Sequence, residues 1–135
     1  MPSRHEARSD ALSILYEADV RGRRLGEVLD AHVSGEEPPP AFAITLVEGV
    51  EAERDTLDAL IRAHAMGWKL ERMPYVDRNV LRLAAWELLH TDVPTPVVID
   101  EAVSLAKELS TDDSGRFVNG VLARVAAQRP AGDAS

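Results

Sequence analysis

Four histidines are the side chains best suited to bind a metal or move a proton, so their spacing is the first question. They stand at positions 5, 32, 64 and 90, on different predicted elements, and form neither an H-x-x-x-H nor an H-E-x-x-H pair. His90 and Asp92 are close in sequence, but a histidine at a helix end and an aspartate in a loop are usually solvated. We therefore predict no metal site.

Other catalytic motifs are missing from the sequence as well. It contains no G-x-x-x-x-G-K-[ST] or G-x-G-x-x-G phosphate loop and no G-x-S-x-G nucleophile turn. Most carboxylates are spaced as on an exposed helix face, where solvation is the ordinary role. Residues that converge only in three dimensions leave no such signature. We predict that the protein is not an enzyme and uses no cofactor.

Charge is unevenly distributed along the chain. The net charge of −8 argues against a nucleic-acid footprint over the whole surface. Residues 1–24 hold five basic and four acidic residues, whereas residues 25–135 hold 10 basic and 19 acidic ones. Arg4 and Arg8, four residues apart, share one face of a predicted helix beside His5 and form a small cationic strip. Contact with a polyanion should therefore be local.

Length and composition predict one soluble globular domain. The chain has 135 residues, of which 45% are hydrophobic, and it has no cysteine, which agrees with a reducing compartment. It lacks an apolar run long enough for a membrane span and an N-terminal signal sequence. We expect a cytoplasmic protein with one domain over residues 1–130 and a disordered tail over residues 131–135.

Proline and glycine divide the chain into segments with helical rather than strand periodicity. Ser3 and Glu6 form an S-x-x-E capping box at the start of the first helix, and Gly22 and Gly26 bracket its end. A short helix follows, then the loop SGEEPPP at residues 34–40, then one long helix over about 41–64 whose acidic residues, Asp58 among them, face largely outward.

Three further helices are predicted in the second half. One follows Pro74, the next has Thr95 as N-cap with Pro96 at its first position, and the last begins at Asp112, Asp113 and Ser114. The fold class is therefore all-α, a compact bundle of six or seven helices in two subbundles, before and after residues 67–74.

The second half also carries specific motifs. They are VLRLAAWEL, the DVP turn, I-x-E-A-x-x-L-A-K from Ile99 to Lys107, and DS-x-x-FVNGVL from Asp113 to Leu122. This stretch of some fifty residues resembles the C-terminal half of the NusB family, and R-x-x-A-x-x-x-LY from Arg8 to Tyr16 matches the family's first helix. Asp100 replaces the family's usual asparagine, Trp86 is its aromatic residue near L-x-E-L, and the arginine-rich start is thinned.

The resemblance implies a NusB-like adaptor in transcription antitermination. Such a protein pairs with NusE, a small-subunit ribosomal protein, and binds the single-stranded boxA element of nascent ribosomal RNA within the RNA polymerase antitermination complex. Some members form homodimers. The resemblance gives the RNA-binding candidates Arg4, His5, Arg8, Tyr16, Arg116 and Phe117, and the NusE-binding candidates Asp77 and Asp113. Arginine can bridge phosphates, and an exposed aromatic ring can stack on an unpaired base.

Each candidate also has a purely structural interpretation. Periodicity favours Phe117 as a core residue, and Asp113 is suited to cap the last helix. We expect Tyr16 to bury its ring, whereas Arg4 and Arg8 fit plain surface charges. Two other motif residues are interpreted as packing: Gly120 would admit a neighbouring helix, and Asn119 would satisfy a buried backbone group.

Two alternative functions remain open at this point. A NusB-like domain is also the RNA-recognition part of some RNA cytosine methyltransferases, but the chain ends at Ser135 without a cofactor domain, so we expect this only of a fragment. The other alternative is an interaction scaffold that keeps the fold and the acidic partner face but binds RNA weakly or not at all. The thinned arginine strip and the net charge of −8 favour it.

Overall fold

The computed structural model describes residues 3–129 and consists of seven α-helices and one short 3-10 turn. The all-α prediction is confirmed, whereas the predicted tail lies outside the described residues. A 3-10 turn over Leu70–Arg72 joins the first four helices to the last three. The helices are α1 Arg4–Arg21, α2 Leu25–Val33, α3 Ala41–Ala52, α4 Arg54–His64, α5 Tyr75–His90, α6 Thr95–Leu109 and α7 Asp112–Ala126.

Local sequence signals set both ends of α1. The backbone N–H of Glu6 donates to Oγ of Ser3 at 3.0 Å, which satisfies an amide that has no partner inside the helix. At the other end Gly22 adopts a left-handed φ of 63°, and its N–H donates to the carbonyls of Ala18 and Asp19. Both predicted boundaries of this helix are confirmed.

The predicted single helix over residues 41–64 is wrong, because it is interrupted at Glu53. The backbone there has φ −113° and ψ 16°, outside the helical region, and separates α3 from α4. Val50 and Leu57, on either side of the break, are both fully buried. Since they are seven residues apart, the apolar pattern continues across the break and gives no sign of it.

Helix α5 lies at the centre of the fold. It contacts α1, α3 and α4 from the first half and α6 and α7 from the second. Most of its circumference is buried, including Leu81, Ala85 and Leu88. The two groups of helices therefore share one hydrophobic core, and the surfaces that they form are held in fixed relation by α5.

A charged network crosses this core from α1 to α4. Arg82 on α5 donates from Nε to Oδ1 of Asp58 at 2.8 Å, and Arg78 donates from Nε to Oδ2 of Asp19 at 2.7 Å. Asn79 donates to the same Asp19 oxygen at 2.8 Å. The prediction that Asp58 faces outward is therefore wrong for this residue, which turns inward because a buried arginine meets it there.

Close helix packing depends on glycines other than the one in the motif. A Cβ at Gly49 would lie 2.1 Å from the Trp86 ring, so α3 and α5 approach closely only because this side chain is absent. Gly120 has only an ordinary contact at 3.7 Å, with Arg124, and Asn119 is exposed. The packing roles predicted for Gly120 and Asn119 are therefore wrong.

Helix starts in the second half differ slightly from prediction. Pro94, not Thr95, occupies the N-cap of α6, so the helix begins one residue earlier than predicted.

No helix between residues 3 and 129 has both the length and the apolar character needed to cross a membrane. In the same range, no group of three or more histidine or acidic side chains is arranged to hold a metal ion.

Candidate nucleic-acid and partner interfaces

The first turns of α1 form one wall of an open groove of about 760 Å³, which we call the α1 groove. The connection from α5 to α6 forms the facing wall. Three of the sequence-predicted RNA residues, Arg4, His5 and Arg8, lie together on the α1 side. The opposite side presents Trp86, His90, Val93, Val97 and Glu101.

Arg8 is not the exposed charge that its spacing suggested. Its guanidinium donates to both carboxylate oxygens of Glu87 on α5, each at 2.8 Å, and both side chains are buried. The pKa of Arg8 is raised, chiefly by its hydrogen bond to Glu87. The interpretation of Arg8 as a plain surface charge is therefore wrong, since its charge is already compensated inside the protein.

His5 is half-exposed and pairs with two carboxylates on α6. Its Nδ1 lies 2.6 Å from Oε2 of Glu101, and its Nε2 lies 3.7 Å from Oε1 of Glu108. The hydrogen bond to Glu101 is the main cause of a raised pKa, and the charge of both glutamates adds to it. Protonated His5 is therefore largely neutralised by its neighbours, which weakens its attraction for an RNA phosphate.

Arg4 differs from its two neighbours because its positive charge meets an aromatic ring instead of a carboxylate. The side chain is exposed at the rim of the α1 groove, and Cζ lies 4.1 Å from the centroid of the Phe42 ring. None of the ion pairs between described residues includes Arg4. Its hydrogen-bond donors are therefore available to an anion.

Tyr16 lies in a different depression from the α1 groove. The residue is 42% exposed, and its ring meets that of Tyr75 in a T-shaped contact at a centroid distance of 6.2 Å. Leu12, Val76 and Leu109 line the same depression. The expectation that Tyr16 buries its ring is wrong, because the residue stays exposed beside Tyr75 and part of it remains accessible to a base.

The start of α7 forms a third depression, of about 280 Å³, which we call the α7 pocket. Phe117 meets the exposed ring of Trp68 at a centroid distance of 5.7 Å. Phe117 is itself half-buried against the core, so it contributes to packing and to the surface at once. Asp77, Asp113 and several neighbours complete the pocket, which therefore joins one RNA candidate to both NusE candidates.

The two aspartates of the α7 pocket differ in burial. Asp77 is only 3% exposed, and its Oδ1 has no hydrogen-bond partner. Burial raises the pKa of Asp77, while hydrogen bonds from the hydroxyls of Ser114 and Ser110 act in the opposite direction. When Asp77 is ionised, little water is near to screen its charge, so the pocket has a negative electrostatic potential.

Asp113 is exposed and pairs with Arg116 one turn further along α7. The N-cap of α7 is Thr111, whose Oγ1 accepts from the Ser114 N–H at 3.0 Å. The interpretation of Asp113 as the N-cap is therefore wrong, and its carboxylate, although paired with Arg116, is 85% exposed and can still be reached by a partner. Arg116 is a predicted RNA-binding residue and Asp113 a predicted NusE-binding residue, and the two share a single helical turn.

Sequence reasoning missed Phe42, Trp68 and Glu87. Phe42 follows a proline run that indicates only a helix start, and Glu87 belongs to a motif that shows no sign of its buried partner. Trp68 lies outside any helix, between Gly67 and the 3-10 turn, so periodicity says nothing about it. A tryptophan in a connection between helices, where no apolar pattern calls for it, is the sequence signal that could have identified Trp68.

Between residues 3 and 129 the protein is an all-helical domain in which Arg4 lies at the rim of one groove and aromatic and acidic side chains line a separate pocket. The model of the NusB family matches residues 5–127, and the chain therefore belongs to the NusB family. It is 54% identical over 130 residues to the transcription antitermination protein NusB of Saccharopolyspora erythraea, covering 93% of this chain and 88% of that relative.

Solved structures agree with this family. T. maritima NusB superposes with a TM-score of 0.85 at 35% identity, covering 96% of this chain and 94% of that one. A crystal structure of the antitermination factors NusB and NusE in complex with dsRNA gives a TM-score of 0.79 at 32% identity, over 92% and 96% of the two chains. The resemblance derived from the motifs is thus confirmed.

Proposed function

We propose that this protein is a transcription antitermination factor, a non-enzymatic adaptor that binds RNA together with NusE. The observation that carries the proposal is the similarity to NusB proteins over nearly the whole chain, including one solved with NusE and dsRNA. The α1 groove and the α7 pocket supply surfaces with chemistry suited to an anion and to a cationic partner.

The RNA is proposed to be single-stranded boxA in nascent ribosomal RNA. Arg4 supplies a cation for phosphate, while Tyr16 and Phe117 offer faces on which unpaired bases can stack. Arg116 adds a second exposed cation, which Asp113 partly compensates. Arg8 supports this surface from within through its pair with Glu87.

NusE is proposed to contact the acidic side of the α7 pocket. Asp113 is exposed there, and the buried Asp77 adds negative potential to the pocket that Trp68 and Phe117 also line. Such a surface suits a partner that presents basic side chains. Recruitment to the RNA polymerase antitermination complex in the cytoplasm follows from this pairing, and homodimers that cover one of these surfaces would compete with it.

A binding titration tests the proposal. Labelled boxA RNA is titrated with the protein alone, with NusE alone and with both together, and a duplex of the same sequence and a shuffled single strand serve as controls. We expect the mixture to bind single-stranded boxA more tightly than either protein alone and more tightly than both controls. Equal affinity for the shuffled strand, or no gain from NusE, contradicts the proposal.

A scaffold with weak RNA binding is the second candidate, and two contacts favour it. Arg8 is neutralised by Glu87 and His5 by Glu101, so the cationic strip loses much of its charge. The same titration separates the candidates, because a scaffold binds NusE without improving RNA affinity. An RNA cytosine methyltransferase is less well supported, since the chain covers 88% of a relative named as an antitermination protein.

A further inference from the structure

The guanidinium of Arg4 rests on the ring of Phe42, with Cζ 4.1 Å from the ring centroid. Phe42 is half-buried and packs against the core, so its position is fixed. We propose that Phe42 is a positioning residue for RNA binding, which holds Arg4 in one orientation at the rim of the α1 groove for contact with an RNA phosphate. This inference rests on the proposed RNA-binding function.

The absence of a carboxylate partner singles out Arg4 among the basic side chains that line this groove. Arg8 is bound by Glu87, His5 lies between Glu101 and Glu108, and His90 has Glu53 at 3.6 Å. The ion pairs found between residues 3 and 129 leave Arg4 out. A phosphate entering the α1 groove therefore gains most from Arg4, since the other basic side chains of the groove already have carboxylate partners.

The contact with Phe42 leaves the N–H donors of Arg4 available to a phosphate. The Phe42 ring attracts the cation electrostatically but offers no strong hydrogen-bond acceptor, so this contact does not use up the N–H donors of Arg4. A free arginine side chain loses rotamer freedom when it binds a ligand, and this loss weakens the complex. Because Phe42 already restricts the side chain, Arg4 loses less freedom when it binds phosphate.

Several local features bring the two residues together. The Ser3 cap fixes the backbone at the first residue of α1, which is Arg4. Pro40 is the N-cap of α3 and places Phe42 in the first turn of that helix. Arg8, whose Cζ lies 5.4 Å from the same ring, is kept on the inner side by Glu87. The proline run and the capping box thus assemble one binding feature.

The test is a double-mutant cycle on RNA affinity, measured over a range of salt concentrations. We expect Arg4→Ala to weaken binding about tenfold, as for loss of a charged hydrogen bond, and to lower the log–log salt slope by about 0.7. Phe42→Leu should weaken binding about threefold, the scale of an exposed cation–π contact, while it keeps most of the salt slope. The double variant should bind no more weakly than Arg4→Ala.

Controls separate positioning from general loss of stability. Ile44→Ala, on the same helix and also half-buried against the core, should lower the melting temperature without changing RNA affinity. Phe42→Tyr should bind as the wild type does, since it keeps a ring beneath Arg4. In NMR spectra the side-chain protons of Arg4 should show an upfield ring-current shift that Phe42→Leu removes.

The outcomes distinguish this inference from the proposed function. Unchanged affinity in Phe42→Leu, losses that add in the double variant, or an equal loss in Ile44→Ala would each overturn the inference while RNA binding by the wild type stands. A wild-type protein that binds no RNA, with or without NusE, overturns the proposed function and the inference together.

Discussion

Arg8 and Glu87 form a two-point ion pair in the interior of the protein. Nε and Nη2 of the arginine donate to Oε2 and Oε1 of the glutamate, each at 2.8 Å, and both side chains are almost fully buried. The pair joins α1 to α5, the helix around which the others pack. Arg8 therefore stabilises the fold and supports the α1 groove from within.

Breaking this pair is expected to destabilise the protein strongly. Arg8→Ala leaves the Glu87 carboxylate buried without a counter-charge, which costs about 3–5 kcal/mol in free energy of unfolding. Urea denaturation measures the loss. Arg4→Ala, an exposed arginine one turn away, is the matched control and should change the stability by no more than about 1 kcal/mol, the scale of its exposed contact with Phe42. Replacing both Arg8 and Glu87 by Met should recover most of the stability, and equal losses in Arg4→Ala and Arg8→Ala would contradict the assignment.

Arg8 shows what helical spacing in a sequence can and cannot predict. Spacing correctly placed Arg4 and Arg8 on one face, since both guanidinium groups lie near the Phe42 ring. Spacing did not predict that Arg8 is buried, because its partner Glu87 is 79 residues away in sequence. Burial of a charge depends on such distant partners, so a single helix pattern cannot show it.

The fold was more predictable than the binding surfaces because its signals are local. The Ser3 cap, Gly22 and the proline run act within a few residues, and each fixed a helix boundary. The helix break at Glu53 was not predicted, because the apolar periodicity continues through it. Trp68 and Phe117 meet across nearly fifty residues, so the aromatic wall of the α7 pocket appears only in three dimensions.

Asp77 is expected to make stability depend on pH. Burial raises its pKa above the ordinary value of 3.8, so the folded state binds this proton more tightly than the unfolded chain does. The contribution of Asp77 to stability therefore falls as pH rises from 3.8 through the raised pKa. Asp77→Asn should raise the melting temperature at about pH 7, where the wild-type carboxylate is ionised, and give no gain at about pH 3.

Thermal unfolding at both pH values checks this prediction. Asp113→Asn is the control, because this carboxylate lines the same pocket but is exposed. It should show no gain that appears only at the higher pH. A lower melting temperature for Asp77→Asn at about pH 7 would mean that the ionised carboxylate stabilises the fold, contrary to its burial without a cation.

Asp113→Asn should slow association with NusE and leave the fold intact. The cap of α7 is supplied by Thr111, so the substitution removes a surface charge without removing a helix cap. Exposed interface charges act mainly on the association rate and its salt dependence. Stopped-flow mixing measures that rate, and Asp112→Asn is the matched control on the same helical turn. Similar rates for the two variants would remove Asp113 from the partner surface.

Phe117→Ala separates the two roles that its half-buried position combines. Loss of a stacking platform should weaken RNA binding by about 1–3 kcal/mol. The stability loss should stay below the roughly 3–5 kcal/mol of a fully buried phenylalanine, since part of the ring already faces solvent beside Trp68. RNA titration and urea denaturation of the same preparation measure the two effects.

Leu122→Ala provides the comparison for Phe117, because Leu122 lies on the same helix and is fully buried. It should lose about 2–5 kcal/mol of stability while its folded fraction binds RNA with unchanged affinity. A Phe117→Ala variant that follows this pattern, with large destabilisation and normal RNA affinity, would make Phe117 a core residue only. In that case Tyr16 would be the remaining aromatic residue among the RNA-binding candidates, and Tyr16→Ala should weaken RNA binding by about 1–3 kcal/mol.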